Sequence, residues 1–336
     1  MKTVKNYAGY AAAVGMLVCI LDTKTALTGA CEGLQLCILT VIPSLFPFFV
    51  LSSLITGSLT GTSIPILRPF AKFLQVPEGS ESILAAGFLG GYPIGAQMIG
   101  EAVRSQTITA ADGKRLLAFC NNAGPAFLFG MGSVLFPELW MCWALWGIHI
   151  VSAVLVSFYF PAPESRSAGT LPLAKRTPAL TASLRAMAHV CGWIILFRVI
   201  LAFLDRWFGW ILPSVCTVIL TGFLELSLGC LSLAEIPDIG LRFLLCSAFL
   251  GFGGICVVMQ SRSASLDVDF RYYLPGKLLH GSISFTLSAA LHFFVNLEST
   301  AGITPVAPSA LILCHLILLF FCRRKNRCGN FRLLRV

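Results

Sequence analysis

Ten apolar stretches, most of them near 20 residues long, run through the chain with short polar segments between them. They cover residues 7–21, 33–55, 83–100, 116–136, 139–160, 186–204, 210–230, 243–260, 278–295 and 303–321. About 20 apolar residues suffice for a helix to cross the hydrocarbon core of a bilayer, so the pattern predicts an all-α polytopic membrane protein. Two stretches depart from a plain helix. Residues 83–100 hold Gly87, Gly90, Gly91, Pro93 and Gly95, and 243–260 hold Gly251, Gly253 and Gly254. Mid-helix glycine costs roughly 1 kcal/mol against alanine and proline about 3. Both stretches are therefore expected to be broken, and a broken stretch can re-enter instead of spanning.

Charge placement favours re-entry. With a cytoplasmic N-terminus and both Gly-rich stretches returning to their own side, Arg68, Lys72, Arg104, Lys114, Arg115, Arg166, Lys175, Arg176 and Arg185 fall in the cytoplasm. Arg262, Arg271, Lys277 and the basic tail from Arg323 join them, leaving Lys24 and Arg206 outside. That distribution obeys the positive-inside rule. It gives about eight transmembrane helices plus two Gly-rich re-entrant segments, with both termini in the cytoplasm. Lys2 and Lys5 before an apolar run imitate a signal peptide, but no small-residue cleavage site follows directly, so the run reads as an uncleaved first helix.

The order of segments repeats, two helices, a Gly-rich stretch and two helices, and then the same again. Thr40-Val41-Ile42, Phe46 and Leu51 match Thr217-Val218-Ile219, Phe223 and Leu228 at one offset, Phe88-Leu89-Gly90 echoes Phe249-Leu250-Gly251, and Gly113-Lys114 echoes Gly276-Lys277. The expected organisation is a first membrane repeat over 1–160, a Pro/Ser/Lys/Arg-rich cytoplasmic linker over 161–178, a second repeat over 179–322 and a basic tail over 323–336, the repeats being parallel.

Composition sharpens this. Of 336 residues, 57% are hydrophobic and only 12% charged, and mean hydropathy is +0.84. An average soluble domain is about a quarter charged, so a soluble enzyme, a disordered chain and a disulfide-stapled domain are excluded. The net charge of +9 sits in short loops and the tail, which argues for a lipid bilayer as partner and against nucleic acid. Thirteen cysteines without a CxxC pair and five histidines without HExxH or HxxxH spacing point to no metal and no cofactor.

Three constellations carry candidate chemistry. Broken segments at corresponding places in two halves point to a transport site, which singles out Gly91, Tyr92, Pro93 and Gln97 in the first and Gly253 through Gln260 in the second. Their alternative reading is close helix packing through small residues. Asn121-Asn122-Ala123-Gly124-Pro125 lies within the helix expected from Leu116. Its adjacent amides suit a small polar solute, and Pro125, lacking an N–H, leaves the Asn121 carbonyl open. The amides could equally hold helices together. Glu225, in the middle of the 210–230 stretch, needs a partner or a wet cavity. It could couple a proton or sodium ion, or pair with Arg198. No Walker A, GxSG or GxGD motif is present, so the reading is not an enzyme.

Ser44-Leu45-Phe46-Pro47-Phe48-Phe49-Val50-Leu51, Gly91-Tyr92-Pro93-Ile94-Gly95-Ala96, Phe119 through Pro125 with Phe129-Gly130, Gly222-Phe223-Leu224-Glu225 and Gly251-Phe252-Gly253-Gly254 together resemble the YlbJ-type sporulation integral membrane proteins. That family is grouped with nucleoside-recognition (Gate) domain proteins. The resemblance implies a role in spore cortex formation in the cell membrane or a forespore-surrounding membrane of a spore-forming bacterium, alongside other sporulation membrane proteins. It supplies no catalytic residues and no substrate. Serine is common in the family where Ala123 stands here. The expectation is a secondary transporter or solute-binding permease, the alternative a non-transporting scaffold for a sporulation complex.

Overall fold

The computed structural model describes residues 2–59, 63–163, 178–265 and 268–295. Every element among them is a helix. Most of the predicted linker, the predicted last helix at 303–321 and the basic tail lie outside the described residues.

The chain enters through α1 (Lys2–Leu21), turns at Asp22 and continues as α2 (Thr23–Leu36), which runs through a π-helical turn (Cys37–Val41) into α3 (Ile42–Leu59). The long helix α10 (Ala179–Phe208) lies along α2. Gly29 and Gly33 set that contact. A Cβ on either would stand 2.9 Å from the α10 backbone, at Val199 and Ile195 respectively. Small residues at such crossings let helices associate in a medium where burial alone gives little driving force.

The Gly-rich stretch at 83–100 is a hairpin. Short α4 (Arg68–Phe73) leads to α5 (Glu81–Ala85), which extends as a π-helical turn (Ala86–Gly90) before the chain reverses at Gly91–Pro93 into α6 (Ile94–Arg104). Gly95 packs back on Gly87, so the arms run side by side.

A second hairpin was not anticipated. The 210–230 stretch, read above as one spanning helix, is α11 (Ser214–Leu224) and α12 (Leu226–Ser232), reversing at Glu225, with Gly229 packed on Gly222. Conversely, 243–260 is broken as expected but goes through. α13 (Ile239–Phe252) and α14 (Gly254–Ala264) meet at Gly253. Together they run antiparallel to the full length of α15 (Tyr273–Val295), since Gly240 abuts His292, Gly251 abuts Gly281, and Ser261 Oγ lies 2.9 Å from Tyr273 Oη.

The 116–136 stretch is likewise two helices, not one. α7 (Ala110–Phe119) stops, four residues run extended, and α8 (Pro125–Leu135) resumes. The pair lies antiparallel to α9 (Leu139–Ser157): Arg115 Nε donates to Phe160 O at 2.9 Å, Ala123 N to His149 Nε2 at 3.1 Å, and Gly132 abuts Cys142.

Twice, then, the chain makes a hairpin, an interrupted helix and a continuous helix. The two interrupted helices are antiparallel: Phe136 stacks edge-on against Phe243 at 5.8 Å, while Asn121 reaches Ser261 towards the other end. The helices are therefore arranged as inverted units, and the parallel pairing of 83–100 with 243–260 is corrected. The first hairpin's counterpart is α11–α12.

Five helical stretches are long and apolar enough to cross a membrane: Thr23–Ile55, Leu139–Ser157, Ala179–Phe208, Ile239–Ala264 and Phe270–Val295. The remaining apolar helices among the described residues are shorter, because they are hairpin arms, halves of an interrupted helix or the 9–21 part of α1.

Candidate functional site

All four interruptions meet in one place. A Cβ added to Gly124 would lie 3.0 Å from Gly91, so the first hairpin tip touches the α7–α8 break. Gly91 has φ +86° and ψ 173°, a conformation open essentially only to glycine. The Gly253 break faces Tyr92, and Gly254 rests on Leu224 and Leu226 beside the second hairpin tip. Tyr92 Oη, from the first hairpin, donates to Leu250 O of α13 at 3.1 Å. A small cavity opens at this junction, walled by Gly91, Tyr92, Gly124, Glu225, Ser227 and Gln260 among others.

Glu225 is 1% exposed and belongs to no helix interior. Its carboxylate caps α12, accepting from Ser227 N at 3.1 Å on Oε1 and from Leu228 N at 2.7 Å on Oε2. The positive end of a helix and two N–H donors stabilise an acid at such a point. Arg198, one of the partners open to it, forms its ion pair with Glu32 of α2, while its charge still acts on the Glu225 carboxylate.

The other residues singled out by sequence divide into two groups. Gly91, Tyr92, Gly124, Glu225 and Gln260 line the cavity, with Pro93 and Gly253 buried immediately behind. Asn121, Asn122 and Gln97 do not line it. Asn121 is wholly buried: Oδ1 accepts from Ala96 N at 3.1 Å, and Nδ2 lies 2.8 Å from Ser261 Oγ and 3.0 Å from Tyr273 Oη. The amide thus ties the first hairpin to α14 and α15. Asn122 Nδ2 donates to Phe119 O at 2.9 Å, closing the end of α7, while its Oδ1 has no partner. Gln97 Nε2 donates to Glu101 at 3.1 Å along the outer side of α6.

One cluster escaped the sequence reading. Lys277, placed above among the cytoplasmic charges, is 0% exposed inside α15. Its amine donates to Asn121 O at 3.1 Å, lies 3.0 Å from His280 Nδ1, and stands 5.0 Å over the Tyr92 ring. The Asn121 carbonyl is the one that Pro125 was expected to leave open, and the lysine fills that vacancy. The tautomers follow from the partners. His280 Nε2 faces His149 O at 3.0 Å and must donate, so Nδ1 accepts from Lys277. His149 Nε2 accepts from Ala123 N, so Nδ1 carries the hydrogen. The two imidazoles stack at 4.5 Å. Lys277 and His280 share one helix face three residues apart, but nothing in the sequence links them to His149, which comes from another helix 131 residues away.

No family model matches the chain, and no solved structure matches it. The chain is similar to the sporulation integral membrane protein YlbJ of Bacillus subtilis (strain 168), with 26% identity over 299 residues, taking in 74% of this chain and 73% of the relative. Running through most of both chains, that similarity supports the YlbJ-type integral membrane proteins as the family of this chain.

Proposed function

We propose that this protein is a non-enzymatic integral membrane protein of sporulation that binds a small polar solute where its four helix interruptions meet, and carries it as a secondary transporter. The observation that supports this is the convergence of both hairpin tips and both helix breaks on one cavity holding a buried carboxylate. Backbone groups released by broken helices are tolerated at membrane depth only when buried in protein or lining a wet cavity, and solute sites are built from such breaks. The sporulation role rests on the relative's name. In this reading Gly91, Gly124 and Gln260 contact the solute, Glu225 couples an ion, and Asn121, Asn122 and Lys277 hold the breaks in place.

Melting of the purified protein against nucleosides, amino acids, sugars and dipicolinate tests the reading. A solute at about 100 times its Kd adds roughly 2.7 kcal/mol. The expected result is a shift for one class that Gln260→Leu removes, and ion-driven flux that Glu225→Gln abolishes while the shift persists. No shift across the panel would favour the scaffold reading, which the fully bonded Asn121 amide already suits.

A further inference from the structure

A polar stripe runs along the exposed face of α2, beside exposed Leu27 and Leu34, at a depth where a lipid-facing helix is apolar. Thr28, Cys31 and Gln35 are exposed there, and the Glu32 side chain beside them is 43% exposed. Separations of three, four and seven residues place these side chains on one stripe of a helix.

The depth of the stripe follows from its neighbours. Asp22, where α1 meets α2, pairs with Arg206 at 2.7 Å, close to the exposed Trp207 and Trp210 at the end of α10. Charge and tryptophan together mark a membrane–water interface. Glu32 lies ten residues further along the chain, about 15 Å at 1.5 Å per residue, which is half of a hydrocarbon core roughly 30 Å thick. Arg198, eight residues back along α10, arrives at the same level and pairs with Glu32, its side chain 25% exposed.

An ionisable group at mid-membrane faces protein or water, not lipid. The ion pair cancels the net charge, yet among the described residues nothing covers the exposed carboxylate, the Gln35 amide or the Thr28 hydroxyl. Whatever covers them must be uncharged overall and must both donate and accept hydrogen bonds. The stripe itself has that chemistry. Amide and hydroxyl each donate and accept, the carboxylate accepts, and the neutralised pair does not repel its own image. A two-fold contact requires such self-complementarity.

We propose that two copies of this chain associate in the membrane through α2, with Thr28, Cys31, Glu32 and Gln35 of each facing those of the other. None of these four residues lines the cavity of the proposed solute site.

Exposed Cys31 gives the native chain its own probe. Membranes holding the full chain are oxidised with copper–phenanthroline and resolved without reductant. The expected product has twice the chain mass of 36.2 kDa, disappears with Cys31→Ser and persists with Cys216→Ser. Light scattering of the purified protein should give a dimer, and Gln35→Trp a monomer that keeps its melting temperature. A monomeric wild type with no cross-link overturns the proposal. So does a cross-linked dimer that survives Cys31→Ser, or a Cys31-dependent adduct of some other mass, which would assign the stripe to a different protein.

Discussion

Side chains of the same type do different work at this junction, and their partners separate them. Asn121 holds three elements together through one amide, so Asn121→Leu leaves Ala96 N–H and its other buried partners unmatched. Each orphaned buried group costs about 1–3 kcal/mol. Asn121→Leu is expected to lower the melting temperature sharply, while Gln97→Ala, which breaks only a contact with Glu101 on the outer side of α6, leaves it almost unchanged. Lys277→Met belongs with the first group, because it strips donors from Asn121 O and His280 Nδ1. Outside the membrane, Asp269 offers a pH test. Arg271, hydrogen-bonded to it, and Lys114, paired with it at 3.2 Å, hold its carboxyl well below the usual carboxylate range. An acid depressed in the folded state stabilises above its unfolded value, near 4, and loses that contribution as pH falls through the folded one. Asp269→Asn should therefore lower stability slightly at pH 7 and remove part of the acid sensitivity, as melts between pH 7 and pH 3 would show. The chemistry of Pro125 was legible in sequence, since a missing N–H must orphan a carbonyl. The lysine that answers it was not, because it arrives from 156 residues away.

At the scale of elements, glycine and proline announced some interruptions and not others. Gly91 and Gly253 adopt positive φ at the two breaks that the sequence singled out. Gly91→Ala is expected to cost about 1–3 kcal/mol, the range for a residue forced into a sparsely populated conformation, and a side chain there would also crowd Gly124. A thermal melt of the variant measures it, and an unchanged midpoint would mean the tip relaxes freely. The reversal at Glu225 carried no such mark. Its hairpin depends on Gly222 and Gly229 meeting across the turn, a pairing that a scan for breakers inside one apolar run does not separate from an ordinary small-residue face. The same blindness made 116–136 look continuous. Apolar composition is equally good for a span, for half a span and for a hairpin arm, so hydropathy alone located the helices without saying which of them turn back.

At the scale of the whole molecule, the reassigned hairpin changes topology at one identifiable place. Between Gln106, after the first hairpin, and Pro237, after the second, the chain passes through α7–α8, α9 and α10, and then through α11–α12, which returns to its starting side. If α7–α8, α9 and α10 each cross, the two positions lie on opposite sides of the membrane. Had 210–230 spanned as the sequence suggested, they would share a side. The positive-inside rule separates these cases by a single residue, Arg242. Arg68, Lys72, Arg104, Lys114, Arg115 and Arg262 stay on one side either way, because exchanging which of two neighbouring segments re-enters moves only the short 233–238 connection and Arg242 at the start of α13. That end holds Glu235 and Asp238 beside one basic residue, Arg242, whose guanidinium donates to Ile236 O and Leu135 O. Reporter fusions after Gln106 and after Pro237 decide the matter: the expected readings are cytoplasmic for the first and external for the second. Matching cytoplasmic readings would return the molecule to parallel repeats, and would pull the second hairpin tip with Glu225 away from the face on which the inverted arrangement places it. Opposite readings would bring the two hairpin tips to the cavity from opposite membrane faces, the arrangement the proposed transport needs, since moving either tip would then open the same site to a different side.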